Sequence, residues 1–262
     1  MKIVVFIKQV LDNTKLRFSD GKPVLEGVPM MVNPFDEYAL ETALRLKEQA
    51  GGDATVTVLS LGAPSAREII KKAIAAGADA AFLLSDDLLS DGDSVATARA
   101  LARGVQSFVP DAGILVFGQM ALDDAAGQVG PMVAELLELP SVTYGKDAKL
   151  NGEALIVFRE TERGTEEVSI QLPAVACMMK CDYELRSANI KGVMKANKTE
   201  IPVKTLVDLG LEPALAGAAG SATRVSKTWQ RPAKAGGKIV DGADPAIAIE
   251  QLLDYLKEAK VL

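Results

Sequence analysis

The chain has 262 residues, of which 48% are hydrophobic and 24% charged, and it carries a net charge of −6 at neutral pH with no histidine. The acidic excess argues against a general nucleic-acid binder, because neutralising phosphates requires a surplus of Lys and Arg. The lack of histidine excludes histidine-dependent catalytic triads and zinc hydrolases.

Apolar runs typical of buried strands alternate with helical patterns over the first half of the chain. Asn33 supplies a predicted N-cap before Pro34, and Ser65 supplies another. Repeated strand–helix units of this length predict a mainly parallel sheet with helices on both faces. The predicted strands are Ile3–Ile7, Thr55–Leu61, Ala80–Leu84, Ile114–Phe117 and Ser141–Tyr144, and the predicted helices are Pro34–Ala50, a segment between Ser65 and Gly77, Asp93–Phe108 and Ala125–Leu137.

The pattern changes after Lys149. Ala154–Glu160 and Glu166–Leu172 alternate on either side of Arg163-Gly164 and predict an antiparallel hairpin. Ala174–Met178 predicts one more buried strand. The expected fold is therefore a three-layer α/β/α domain over residues 1–185.

The segment 186–262 has a different character. Residues 191–240 carry a net charge of +6, whereas residues 1–190 carry −9. We expect no regular structure before a helical pattern at Pro245–Lys260. The segment is either disordered or an arm that lies on another subunit. The isolated apolar residues Ile190, Val193, Met194 and Trp229 favour the arm, because disordered segments usually lack such anchors.

Two cysteines, Cys177 and Cys181, are the only ones in the chain. Without histidine they are too few for a metal site, and their spacing is not that of a redox CxxC motif. We interpret them as reduced structural thiols of a cytoplasmic protein. No apolar run approaches the ~20 residues that span a bilayer, and the N-terminus does not resemble a signal peptide.

Candidate ligand-binding residues follow the predicted parallel strands, where ligands sit in open α/β sheets. The stretch GQMALDDAAGQVGP (118–131) leaves a strand through a glycine and restarts with a helix. Its glycines suit either a phosphate at a helix N-terminus or an ordinary packed turn. We interpret Asp123-Asp124 as helix caps rather than as a metal or acid/base pair, and Asp93 or Ser94 as another N-cap. The chain has no GxxxxGK[ST] or GxSxG motif, and no GxGxxG follows the first strand.

Six segments in order resemble the beta subunits of electron transfer flavoproteins. They are KIVVFIKQV, VNPFDEYALETALRLKE (Val32–Glu48), LSLGAPSAREIIKKAIAAGADAAFLL (Leu59–Leu84), the stretch GQMALDDAAGQVGP, IQLPAVACM and NIKGVMKANKTEI (Asn189–Ile201). Each segment alone is moderately specific, and the six together cover nearly the whole chain.

The resemblance implies an adenine-nucleotide-binding type of α/β/α fold and a heterodimer with an alpha subunit that carries the redox-active FAD. Such a subunit is an electron carrier, not an enzyme, between dehydrogenases and a membrane or soluble acceptor. The implied nucleotide-binding residues are Phe6, Ile7, Lys8, Asn33, Leu61, Gly118, Gly127, Gln128, Val129 and Gly130. The implied recognition loop for partner dehydrogenases contains Ile190, Val193, Met194 and Lys195, and the rest of 186–262 is implied to wrap the alpha subunit.

The family leaves the nucleotide open between AMP and a second FAD. Bifurcating members, which bind the second FAD and oxidise NADH, have a pattern similar to DGDTAQVGP where this chain has DDAAGQVGP. Ser94 and Thr97 stand where hydroxyls of that type meet a flavin. Two alternatives from other classes are a stand-alone ATP-binding or adenylyl-transferring enzyme and a purely structural regulator.

Overall fold

The computed structural model describes residues 1–19, 22–227, 229 and 236–262. By internal contacts the chain divides into two units, Met1–Lys227 and Thr228–Leu262. The expected division at residue 185 separates a nucleotide-binding part from a partner-binding part, and it stays a prediction. Residues 228 and 230–235 of the predicted arm lie outside the described residues.

The described residues form thirteen β-strands and six α-helices. The strands are β1 (Lys2–Phe6), β2 (Gln9–Leu11), β3 (Arg17–Ser19), β4 (Lys22–Val24), β5 (Met30–Val32), β6 (Thr55–Leu61), β7 (Ala80–Leu84), β8 (Ala112–Gly118), β9 (Ser141–Asn151), β10 (Ala154–Thr161), β11 (Gly164–Gln171), β12 (Ala174–Met178) and β13 (Val203–Lys204). The helices are α1 (Pro34–Ala50), α2 (Arg67–Ala76), α3 (Ser94–Phe108), α4 (Val129–Leu136), α5 (Ile190–Lys198) and α6 (Pro245–Glu258).

A nine-stranded sheet in the order β11-β10-β9-β12-β8-β1-β6-β7-β13 forms the centre of the first unit. The six neighbouring pairs from β9-β12 to β7-β13 in this order are parallel. The two pairs at the other end, β11-β10 and β10-β9, are antiparallel. Two small antiparallel pairs, β2-β5 and β3-β4, lie outside this sheet. The predicted mainly parallel sheet and the predicted hairpin are both confirmed.

Alternate side chains of β1 enter two separate cores, as the two-residue period of a strand requires. Ile3 and Val5 pack in the core that contains α1 and α2, while Val4 and Phe6 pack in the core that contains α3 and α4. The sheet therefore has helices on both faces, which confirms the three-layer α/β/α expectation. None of the described helices is long and apolar enough to cross a membrane.

Several local predictions differ from the structure. Residues 190–198, expected to be irregular, form α5, which Asn189 caps by accepting a hydrogen bond from the Gly192 N–H at 2.8 Å. A Cβ at Gly192 would overlap the Ala75 carbonyl, so the missing side chain lets α5 approach the end of α2 closely. The nine residues of α5 bury only Ala196, although Ile190, Val193 and Met194 stand at i, i+3 and i+4, the spacing of one helix face.

Two predicted helix starts also move, and a third is confirmed. Helix α4 begins at Val129 rather than at Ala125, because Gly127 takes a φ of +64° that a helix does not allow. Ser65 lies inside a short 3-10 turn before α2 and does not cap it. Asp93 does cap α3, as expected, and accepts hydrogen bonds from two amides of its first turn.

In the second unit, α6 is a regular helix with Asp244 as its N-cap. Its apolar residues are exposed, namely Ile247, Ile249, Leu252 and Leu253. A helix with an exposed apolar stripe is typical of a segment that packs against another surface.

Candidate functional site

A cavity of about 840 Å³ opens at the carboxyl ends of β1, β6 and β8. This is the edge where open α/β sheets bind their ligands. The structure brings together every residue that the sequence predicted for cofactor binding, because all of them line this cavity: Phe6, Ile7, Lys8, Asn33, Leu61, Ser94, Thr97, Gly118, Gly127, Gln128, Val129 and Gly130.

One wall of the cavity is flat and apolar. The rings of Phe6 and Phe117, at the ends of β1 and β8, are stacked with centroids 3.8 Å apart and planes 7° from parallel. Leu59, Leu84 and Leu101 line the cavity beside them. Such a wall suits the face of a planar ring system, with polar groups fixing its orientation.

The turn into α4 presents backbone N–H groups to the cavity. Gln128 occupies the N-cap position of α4, and no side chain of the described residues caps this helix. Val129 and Gly130 of its first turn line the cavity, and their backbone N–H groups have no partner within the helix, an arrangement that favours an anion.

The glycines of the predicted phosphate turn have different physical roles. Gly127 has a positive φ, and the space around it is open except for Gln119 and Met120. A Cβ at Gly130 would overlap the Cys177 sulfur, so this glycine is required by helix–sheet packing. A Cβ at Gly118 would overlap the Asp36 carboxylate. Of these three glycines, Gly127 is the one that the turn requires for its backbone conformation, because its φ is positive.

The start of α3 supplies two hydroxyls to the cavity. The Asp93 carboxylate caps Val95 and Ala96 at 3.0 Å and also accepts from the N–H and Oγ1 of Thr223, at 2.8 and 2.9 Å. The Ser94 and Thr97 hydroxyls have no hydrogen-bond partner among the described residues, and both line the cavity. They are therefore available to a ligand.

Lys8 bridges the end of β1 to the β8–α4 loop, residues 119–128. Its Nζ lies 2.8 Å from Asp123 Oδ1 and 3.7 Å from Asp124 Oδ2. Asp124 Oδ1 also accepts from the Ala126 N–H within the loop. The expectation that these two aspartates cap a helix is wrong, because α4 begins five residues after Asp124 and the loop folds back over Lys8.

Asn33 holds the β8–α4 loop at its other end. Its Nδ2 donates to the Met120 carbonyl at 2.8 Å, and its Oδ1 accepts from the Leu122 N–H at 3.1 Å. The predicted capping of α1 by this side chain is absent. Asn33 is almost fully buried, so its amide acts on the protein rather than on the solvent.

Asp36 is a cavity residue that the sequence did not indicate. It lies in the first turn of α1 and is only 6% exposed. Burial raises the pKa of its carboxyl from 3.8 to about 7, against the opposing effect of hydrogen bonds from Asn33 and Lys8. Its position three residues after Asn33 could have indicated that the two side chains meet. An acidic residue in the first turn of a helix, however, is usually interpreted as a surface residue that favours the helix dipole.

The charge around the cavity is mainly acidic. Lys8 is the one cationic side chain among the described lining residues, beside the acidic residues Asp36, Asp86, Asp91, Asp93 and Asp124. An anion at this site would therefore rely on the backbone amides of the α4 turn.

Both predicted structural thiols, Cys177 and Cys181, are free and buried. Burial raises the pKa of Cys177 to about 12, which makes it an inert thiol.

The predicted docking residues lie on α5, away from the cavity. Ile190 is 81% exposed, and Val193 and Met194 are also exposed. Lys195 is not grouped with them: its Nζ donates to the Ala78 carbonyl at 2.8 Å and pairs with Asp79 at 3.6 Å. Lys195 thus fastens α5 to the body of the domain, while the other three face outward.

Comparison with known proteins agrees with this architecture. Residues 24–209 match the electron transfer flavoprotein domain. The electron transfer flavoprotein subunit beta of Megasphaera elsdenii is 36% identical over the full length of both chains, and the caffeyl-CoA reductase-Etf complex subunit CarD of Acetobacterium woodii is 35% identical, also over both full lengths. Protein FixA of Azorhizobium caulinodans is 35% identical over 90% of this chain and 86% of its own. The chain belongs to the family of electron transfer flavoprotein beta subunits.

Proposed function

We propose that this chain is the electron-carrier subunit of a heterodimeric electron transfer flavoprotein and that its cavity holds an adenine nucleotide. The redox-active FAD would belong to the alpha subunit, and electrons would pass between dehydrogenases and a further acceptor. The observation that carries the proposal is the convergence of all the predicted cofactor residues on one cavity with an uncapped helix start.

The cavity fits the parts of such a nucleotide. The stacked Phe6 and Phe117 rings and Leu61 offer an apolar surface for the adenine. The amides at Gly127–Gly130 offer donors for the phosphate. Ionised aspartates are acceptors for ribose hydroxyls. In this arrangement the residues bind and orient the nucleotide, and they perform no bond-making chemistry.

A second candidate is a bifurcating subunit that binds FAD here and oxidises NADH in the complex. The unpartnered Ser94 and Thr97 hydroxyls favour it, because they lie in the first turn of a second helix, α3, which also lines the cavity. A dinucleotide would contact both helix starts.

The partner contacts form the other part of the proposal. We assign residues 1–185 to nucleotide binding and residues 186–262 to partners, with exposed Ile190 on α5 meeting a dehydrogenase and the apolar face of α6 meeting the alpha subunit. The basic charge of 191–240 would speed association with an acidic partner. A cytoplasmic location belongs to this proposal, supported by two buried cysteines that stay reduced.

The test is co-expression of the full chain with its alpha subunit, followed by release and quantification of FAD and AMP per complex. One FAD with one AMP supports the carrier function, and two FAD without AMP support the bifurcating alternative. The same measurement on a complex with the Gly127→Glu variant shows which nucleotide belongs to this subunit, because this substitution should remove that nucleotide and leave the FAD of the alpha subunit in place. A stable, nucleotide-free monomer would contradict both candidates.

A further inference from the structure

The Asp36 carboxylate joins three segments that line the cavity. Its Oδ2 accepts from the Lys8 backbone N–H at 2.7 Å, at the end of β1. Its Oδ1 accepts from Asn33 Nδ2 at 2.9 Å, at the start of α1. Gly118, at the end of β8, lies against the same carboxylate, because a Cβ there would overlap its Oδ1. Both hydrogen-bonding partners, Lys8 and Asn33, are donors and use different oxygens, so both carboxylate oxygens must act as acceptors.

Through Asn33 this linkage reaches the β8–α4 loop. The same Nδ2 that donates to Asp36 also donates to the Met120 carbonyl, and the Oδ1 of Asn33 accepts from Leu122. Asp36 therefore fixes the orientation of the Asn33 amide, and the amide fixes the start of the loop. That loop ends at Gln128, the N-cap of α4.

Few charged groups of the described residues face Asp36. Among them Lys8 is the one cation that acts on it, and the Lys8 ammonium is shared with Asp123 and Asp124 at the mouth of the cavity. Glu37 follows it on α1 and carries a carboxyl of its own, whose pKa burial also raises. A buried carboxylate with one shared counter-charge is close to losing its ionisation at neutral pH.

We propose that ionised Asp36 is a positioning residue for the nucleotide site: it holds the end of β1 and, through Asn33, the β8–α4 loop in the places from which they contact the nucleotide. This inference rests on the nucleotide-binding function proposed above. The neutral carboxylic acid has a donor in place of one acceptor, so it breaks one of the two bonds, from Lys8 or from Asn33, and loosens the loop. Nucleotide affinity then falls as the pH drops below about 7.

The first experiment titrates AMP and FAD into the full-length wild-type chain and the Asp36→Asn variant at pH 6, 7 and 8. Asparagine imitates the neutral acid, because it also has one acceptor and one donor group. At each pH the Kd of the Asp36→Asn variant is divided by the Kd of the wild type. This ratio removes the effect of titrating the nucleotide phosphate, whose second pKa is about 6, because that effect is the same for both proteins. The expected ratio is about tenfold at pH 8, for the loss of one charge-assisted hydrogen bond, and within about twofold at pH 6.

A merely structural role for Asp36 predicts a ratio that does not change with pH, and that result overturns the proposal. Glu41→Gln is the matched control, since Glu41 is an equally buried carboxylate on α1 that pairs with Arg186 outside the cavity. Its Kd values should stay within about twofold of wild type at each pH. A control that reproduced the Asp36→Asn pattern would also overturn the proposal.

A second measurement needs no nucleotide. Amide hydrogen exchange at Lys8 and Leu122 in the wild-type chain is compared with exchange at Ile7, whose N–H bonds the Leu59 carbonyl independently of Asp36. The exchange rates of Lys8 and Leu122, each divided by the rate of Ile7, should be severalfold higher at pH 6 than at pH 8. A ratio that is the same at both pH values contradicts the proposal, and this test remains valid even if the Asp36→Asn variant does not fold. If wild type binds neither AMP nor FAD, the proposed function fails, while this exchange ratio still decides whether Asp36 positions the loop.

Discussion

The buried Asp36 carboxylate predicts an unusual pH dependence of stability. In the unfolded chain this carboxyl has a pKa of 3.8, and in the folded chain the pKa is about 7. The folded state therefore holds the proton more tightly than the unfolded state. Its contribution to stability is complete below pH 3.8 and is lost progressively as the pH rises towards 7.

The size of the effect follows from the two pKa values. Each unit of pKa difference corresponds to about 1.4 kcal/mol, so the ionised carboxylate lowers the free energy of unfolding by roughly 4 kcal/mol in all. About 2.5 kcal/mol of this loss falls between pH 5 and pH 8. For a folded unit of this size that corresponds to a change of about 5–10 °C in Tm.

The assay is urea denaturation of the full-length wild type and Asp36→Asn across this pH range, with unfolding followed by circular dichroism. Asparagine does not titrate, so the difference in unfolding free energy between the two proteins isolates Asp36. Wild type should lose about 2.5 kcal/mol relative to the variant from pH 5 to pH 8. A difference that stays constant within about 0.5 kcal/mol would show that Asp36 keeps an ordinary pKa and would refute the reasoning.

Three other substitutions test separate parts of the molecule. Gly127→Glu should abolish nucleotide retention, whereas Gly127→Ala adds only positive-φ strain of about 1 kcal/mol and should retain it; normal retention by the Glu variant would remove the phosphate from this turn. Ile190→Ala should slow electron transfer with the partner dehydrogenase in stopped-flow measurements at unchanged flavin content, and an unaltered rate would place docking elsewhere. Arg186→Ala leaves the buried Glu41 carboxylate without its partner at 2.8 Å and should lower the free energy of unfolding in urea by about 2–3 kcal/mol. A loss below about 0.5 kcal/mol would show that Arg45, 3.6 Å from Glu41, already compensates that charge.

The sheet and its helices were predictable because their signals are local and periodic. The β-branched run Ile3–Ile7 reads as a strand buried on both faces, and the structure divides its side chains between two cores. The hairpin was equally readable from the two-residue alternation on both sides, although its turn lies at residues 162–163, one position before the predicted Arg163-Gly164. The cavity residues were indicated by their places after parallel strands and by a family resemblance, not by their chemistry alone.

The parts that the sequence did not reveal depend on contacts between distant segments. Lys8 and Asp123 are 115 positions apart, and nothing in either stretch announces their ion pair. Asn33 looked like a helix cap because its neighbour is Pro34, yet its amide is used by Met120 and Leu122. Helix α5 was missed although the spacing of Ile190, Val193 and Met194 and the N-cap Asn189 were readable signals, because the segment is short and contains Gly192 in its first turn.

The energetics of the cavity argue that it serves a purpose other than stability. An ionised Asp36 costs about 4 kcal/mol at neutral pH, and an uncharged residue there would spare the fold that cost. Asp91, on the cavity wall, and Ala125, in the β8–α4 loop, adopt positive φ without being glycine, which costs about 1–3 kcal/mol each. A chain that needed only a stable sheet would gain by losing these features, since the two large apolar cores do not depend on them. Positive φ also occurs away from the cavity, at Glu138, Tyr144 and Lys260, so the argument depends mainly on Asp36, whose cost falls on the cavity wall. A costly group at that place is what a binding site predicts, because local violations of the folding rules are tolerated where a ligand makes use of them.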